Sequence, residues 1–179
     1  MRLLALEQDN TTYRADFAFY GVVSAALAAT LIAGPHGRWL QSIALALAGL
    51  AGWTAIEYAL HRFVLHGMPP FRGWHAEHHR RPAALIGTPT ILSATLIAVL
   101  VFLPSLVLGD VWIACALTFG VVTGYLAYLI THYATHHWRG GNAWIMRRKR
   151  WHALHHRPVA NPGHYGVTSA FWDHVFGSR

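Results

Sequence analysis

Residues 111–130 read VWIACALTFGVVTGYLAYLI, without one charged side chain, and after Thr131 residues 132–137 read HYATHH. About twenty residues at 1.5 Å each make a helix about 30 Å long, the thickness of a bilayer's hydrocarbon core. The stretch shows no alternation of apolar and polar positions, so a helix is expected over a strand. A helix that crosses a membrane and ends in histidines is the first expectation.

Working outward, three more stretches approach that length: 17–33, closed by Gly34 and Pro35; 40–60, with Glu57 near its end; and 91–108, interrupted by Pro104. Of the 179 residues, 54% are hydrophobic and 12% charged, against about a quarter charged in soluble domains. This composition excludes a disordered chain and leaves too little polar surface to cover four apolar helices in water. The one cysteine, Cys115, excludes an internal disulfide framework and a cysteine-based zinc site. The expected fold is all-α: four transmembrane helices in two hairpins, with a helical cap beyond them. A short N-terminal segment, 1–16, precedes a single membrane-embedded domain over 17–179. The acids Glu7, Asp9 and Asp16 ahead of the first span make a poor secretory leader, so that span is expected to be retained.

Charge gives the orientation. Of the 14 lysines and arginines, all but Arg38 lie before the first span, between the second and third, or after the fourth. Four crossings put those segments on one face, which the excess of positive charge makes cytoplasmic, together with both termini. The net charge of +7 is therefore a topology signal and an affinity for anionic headgroups, with no nucleic-acid partner implied. Residues 144–151, aromatic at both ends around Arg147, Arg148, Lys149 and Arg150, suit a helix lying at the interface.

The 14 histidines are twice the acids in number and fall in internal clusters, which excludes a terminal tag. Four clusters stand out: HRFVLH at 61–66, HAEHH at 75–79, HYATHH at 132–137 and HALHH at 152–156. On a helix the positions i, i+3 and i+4 span an arc of about 100°, so each HxxHH motif presents three imidazoles on one face. His132 and His136 share a face as well. His61 and His66 lie about 140° apart on a regular helix, which demands a helix end near Gly67 or two different metals. Imidazole is a ligand for iron, zinc and copper, and these faces hold more ligands than one ion uses, so two metal ions are expected. Iron that activates dioxygen fits a nearly all-imidazole pair. Zinc satisfies the same nitrogens but does no redox chemistry.

The four clusters, in this order and after these spans, resemble the fatty acid hydroxylase/sterol desaturase superfamily of membrane di-iron oxygenases. The tail YGVTS at 165–169, then Phe171-Trp172-Asp173 and Val175-Phe176-Gly177, is similar to the end of that domain. The likeness runs from about Glu57 to Gly177. Position by position, it implies the metal ligands His61, His66, His75, His78, His79, His132, His136, His152, His155 and His156. The HxxxxH spacing of related carotenoid hydroxylases would use His137. His164 and His174 have no clear counterpart in that family, and His36 lies in a short loop on the opposite face. Glu57, one turn before His61, and Asp173 are candidate partners for the second N–H of a ligating imidazole, and Glu77 is a third.

The resemblance implies an oxidoreductase of lipid metabolism. It would hydroxylate a C–H bond of a lipid acyl chain, with O2 as co-substrate and two iron ions as cofactor. The sixteen residues before the first span are too few for a fused cytochrome b5, so electrons would come from a separate ferredoxin, or a cytochrome b5-like carrier with its reductase. A carotenoid ring hydroxylase and a lipid or sterol desaturase stay open as alternatives. A membrane metal transporter is the alternative outside enzymes, although transporters place ligands within spans and these histidines follow span ends.

Overall fold

A computed structural model describes residues 7–159 and 162–179, so Arg2, one of the basic residues ahead of the first span, and Asn161, whose Asn161-Pro162-Gly163 sequence reads as a turn, lie outside the described residues. Among the described residues the chain is helical, without a strand. Four helical stretches, Asn10–Ala33, His36–Leu65, Thr90–Leu108 and Val111–His137, are long and apolar enough to cross a membrane. They mark a membrane protein.

Local chemistry sets the helix ends. Helix α1, Asn10–Ala33, begins where the Asp9 carboxylate accepts the Thr12 N–H at 2.7 Å and stops at Gly34, ahead of Pro35. It thus starts seven residues before the apolar stretch. Helix α2, Trp39–Ala59, continues into a wider π-turn, Leu60–Leu65. Helix α3, Phe71–Arg80, follows. The third span is α4, Thr90–Ile97, a second π-turn, Ala98–Phe102, and α5, Leu103–Leu108. Pro104 explains that interruption, because its ring has no N–H and crowds the preceding turn; the helix widens until Leu103 N–H bonds Ala98 O, five residues back. Helix α6, Val111–His137, is capped by Asp110, which accepts N–H bonds from Trp112 and Ile113 at 2.8 and 2.9 Å. Asn142 caps α7, Ala143–His155, and the short α8, Phe171–Val175, closes the chain.

The chain divides into two units, Met1–Trp53 with Leu85–Leu126, and Thr54–Ala84 with Ala127–Arg179. In the first, the two hairpin tips meet: Arg38 donates to Asp110 at 2.7 Å, as two hairpins with their tips on one face require. The Tyr20 and Ser93 hydroxyls share a hydrogen bond of 2.6 Å, and Tyr125 packs edge-on against Tyr20 and Trp53. Helices α2 and α6 touch at backbone distance through Gly49 and Gly120. A Cβ on Gly120 would land on the Ala46 carbonyl, and one on Gly49 on the Leu117 carbonyl. The second unit is built from the end of α2 with its π-turn, α3, the end of α6, α7, the described part of the loop that follows, and α8.

Gly120→Ala therefore overpacks the α2–α6 contact and is expected to destabilise the protein by about 1–3 kcal/mol. Gly21 in α1 has nothing within 4 Å of an added Cβ. There the same change is expected to stabilise the helix by up to about 1 kcal/mol. Thermal unfolding in detergent checks both, and a midpoint unmoved by Gly120→Ala would contradict the close crossing.

Candidate metal centre

All ten histidines implied as ligands fall in the second unit, and the structure sorts them into two sets. In the first, the ligand nitrogens of His61, His66, His75, His79 and His155 all lie within 4.8 Å of one another; in the second, those of His78, His136, His152 and His156 do. His132 joins the second set, its Nε2 3.1 Å from that of His78. The sets are neighbours, for the His79 and His156 rings stack at 4.1 Å.

Each HxxHH motif is shared between the sets. On a helix the i+4 residue lies about 40° from i, and the i+3 residue about 60° away on the other side. His75 and His79 accordingly serve the first set while His78 faces the second. His152 and His156 serve the second while His155 faces the first. His132 and His136, four apart on α6, supply the remaining pair of the second set.

His61 and His66 are the first set's remaining pair, and the helix does end beside Gly67, with His66 as its C-cap, but an end alone does not bring residues five apart together. The π-turn does: His66 N–H bonds His61 O at 3.2 Å, so i+5 takes the place above i that i+4 holds in an α-helix. This is the feature that reading the sequence with a single helical period missed.

The geometry inside each set is that of converging lone pairs. Nε2 of His61 lies 3.0 Å from Nε2 of His75, which lies 3.1 Å from that of His79; His66 and His155 approach at 3.0 Å. In the second set His152 Nε2 lies 2.8 Å from His136 Nε2 and 3.0 Å from His156 Nε2. His61 donates from Nδ1 to Tyr165 O at 2.6 Å, and His155 from Nδ1 to Gly163 O at 2.7 Å. Their protons being on Nδ1, their Nε2 atoms present bare lone pairs. One ring nitrogen holds either a proton or a lone pair, so His75 and His152, each facing two other nitrogens, share that single site poorly between neighbours. A cation reconciles all of them. At a metal–nitrogen distance of about 2.1 Å, ligands at right angles sit about 3.0 Å apart and tetrahedral ones about 3.4 Å apart. These shortest separations match the right-angled value, and with five donors in each set the arrangement fits a metal of more than four ligands.

The carboxylates act on the loop that carries those carbonyls. Glu57, 4% exposed, accepts the N–H groups of Val167 and Thr168 at 2.7 and 2.9 Å and the Thr168 hydroxyl. Asp173, fully buried, accepts the N–H groups of Tyr165 and Gly166 at 2.9 and 2.8 Å and the Ser178 hydroxyl at 2.8 Å. Four consecutive N–H groups of residues 165–168 are thus held by two acids, and carbonyls of the same loop take the imidazole protons. Gly163 enters that loop at φ +64°, where a Cβ would meet the Ser178 carbonyl. Trp172 Nε1 donates to Thr54 at 3.0 Å and fastens α8 to the end of α2. The tail motif at 165–169 signalled this loop in the sequence; the carbonyl acceptors within it left no mark in residue type.

The other candidates lie elsewhere. The His137 ring stacks on Tyr133 at 4.4 Å. His164 and His174 pack against Trp151, and His36 against Trp39. Glu77 pairs with Arg80 and Arg81.

A family model for fatty acid hydroxylase matches residues 46–178. The chain is 33% identical over 159 residues to dihydroceramide fatty acyl 2-hydroxylase FAH2 of Arabidopsis thaliana, covering 82% of this chain and 65% of that one. It is 35% identical over 151 residues to the ceramide very long chain fatty acid hydroxylase scs7 of Schizosaccharomyces pombe, covering 77% and 43%. A solved structure of full-length scs7p, in which only the hydroxylase domain is visible, superposes with a TM-score of 0.74 at 28% identity, over 90% of this chain and 63% of that one. The chain spans less than two thirds of the length of each of these relatives.

Burial holds the imidazoles outside the spans neutral, and neighbouring histidines add to the effect. His66 is pushed down to about 4, His78 to about 3, and His155 and His156 to about 2, with desolvation the leading cause in each. The unfolded chain takes up these protons near pH 6.5 and the folded chain does not. Stability is then complete above about pH 6.5 and is lost as the pH falls towards the folded values. Metal-free protein in detergent is expected to show a thermal midpoint that drops between about pH 6.5 and 4. A flat profile over that window would contradict the buried neutral imidazoles.

Proposed function

This chain belongs to the fatty acid hydroxylase family, and from that premise we propose that it is a membrane di-iron oxygenase that hydroxylates a C–H bond of a lipid acyl chain. The observation that carries the reading is the convergence of ten imidazoles into two adjacent sets of five. The right-angled nitrogen separations support iron, with its higher coordination number, over tetrahedral zinc. The 2-hydroxylases among the relatives point to position 2 of a fatty acid or ceramide-type acyl chain as the site oxidised.

The proposed ligands are His61, His66, His75, His79 and His155 at one position and His78, His132, His136, His152 and His156 at the other. Bound iron would supply the activation of O2, one oxygen atom entering the C–H bond and the other leaving as water, at the expense of two external electrons and two protons. The protein's own contribution is orientation: Tyr165 O and Gly163 O fix the tautomers of His61 and His155, and Glu57 and Asp173 hold the loop that carries them. Exposed Leu60, Phe63, Met68 and Trp74 on and beside the π-turn put apolar surface next to the histidines, suited to an acyl chain. The distribution of arginine and lysine supports a cytoplasmic site with both termini on that face. A ferredoxin, or a cytochrome b5-like carrier with its reductase, would reach it there as electron donor.

Lipid mass spectrometry on deletion and complemented cells grown under 18O2 tests the reaction. A hydroxylated lipid labelled only in the complemented strain is the expected result. An unsaturated, unlabelled product would assign a desaturase instead, and no lipid difference would remove the enzyme reading in favour of binding or transport. His78→Ala is expected to abolish the labelled product while the protein still inserts into the membrane; undiminished turnover would show that the second set is misassigned.

A further inference from the structure

The two histidine sets are built alike, each from two pairs on one helix face plus the i+3 histidine of the opposite motif, yet their outer atoms are treated differently. In the first set the Nδ1 protons of His61 and His155 go to buried carbonyls, and four hydrogen bonds from the 165–168 backbone to Glu57 and Asp173 keep that loop in place. In the second set, Nδ1 of His78, His152 and His156 is buried without a hydrogen-bond partner in the protein, and no imidazole of the first set is in that condition among the described residues. A ring whose second N–H is bonded to a fixed carbonyl is held at its angle and is a stronger base towards a metal. A ring whose second N–H is buried and unmet has neither advantage.

We infer that the two metal positions are unequal, and that the loop braced by Glu57 and Asp173 makes the set containing His61 and His155 the tighter one, filled first and emptied last. This rests on the two-metal reading above. Asp173 is in this view a positioning residue: its carboxylate bonds the Tyr165 and Gly166 N–H groups and the Ser178 hydroxyl, and it acts through that backbone. Loss of an outer partner of this kind weakens metal binding about 10–100-fold, so a gap of at least about tenfold between the two steps is expected.

The test uses the full chain in detergent, stripped by chelator and titrated with Zn2+ alone against a competing chelator of known affinity, with metal per chain read by mass spectrometry of the intact protein. The expected result is two equivalents bound in two steps at least about tenfold apart. His136→Ala should remove the weak step and keep the tight one, and His66→Ala should do the reverse. Asp173→Asn, in protein whose helical circular dichroism is unchanged, should weaken the tight step alone. Two equivalents of one affinity in the unaltered protein would overturn the inference and leave the two-metal reading standing. Loss of the tight step in His136→Ala would also overturn it. Saturation at one equivalent would bring down both readings.

Discussion

Imidazole lone pairs aimed at one another repel unless something positive lies between them, and this constraint organises the second unit of the protein. Ten histidines have nitrogen atoms brought to within about 3 Å of a neighbour's, in places where water has little access to relieve them. Such an arrangement is held by the rigid elements that present the rings. Helix α3, and α7 with its cap His156, bring three each, α6 and the π-turn after α2 bring a pair each, and the loop at 163–168 supplies the bonds that hold two of the rings from behind.

The reciprocal use of the HxxHH motifs follows from helical geometry. A helix facing a pair of metal positions sends i and i+4 one way and i+3 the other, because these directions differ by about 100°. Two such helices, each giving two imidazoles to one position and one to the other, build both positions from few residues. They also tie the positions together, since a shift of α3 or α7 moves ligands of both sets at once. Stacking of His79 on His156 marks where the two sets touch.

Glu57 and Asp173 show how buried charge is tolerated here. Each carboxylate is almost fully buried and accepts two backbone N–H bonds and a hydroxyl, which offsets the desolvation that burial imposes. The result is mechanical. The acids shape the loop, the loop aims its carbonyls, and the carbonyls set which nitrogen of His61 and His155 keeps its proton. In the other unit the work is packing: glycine against backbone carbonyl at the α2–α6 crossing, and one ion pair, Arg38 with Asp110, joining the hairpin tips.

Much was legible in the sequence because it is written in residue type and spacing. Length and apolarity of 111–130 and its three companions determined the helices that suit a bilayer. The clusters at 61–66, 75–79, 132–137 and 152–156 determined that many imidazoles would share helix faces, and the tail at 165–169 marked a segment belonging to the site. Tertiary structure alone decided which imidazole goes with which. The division of 75, 78 and 79 depends on where a second helix stands, and the pairing of 61 with 66 depends on a local widening that no residue between them announces. The roles of Glu57 and Asp173 were placed by sequence next to the imidazoles and by structure behind a loop. The reason is that backbone carbonyls, which every residue has, compete with side chains for the imidazole proton, and only the folded chain shows which of them is in reach.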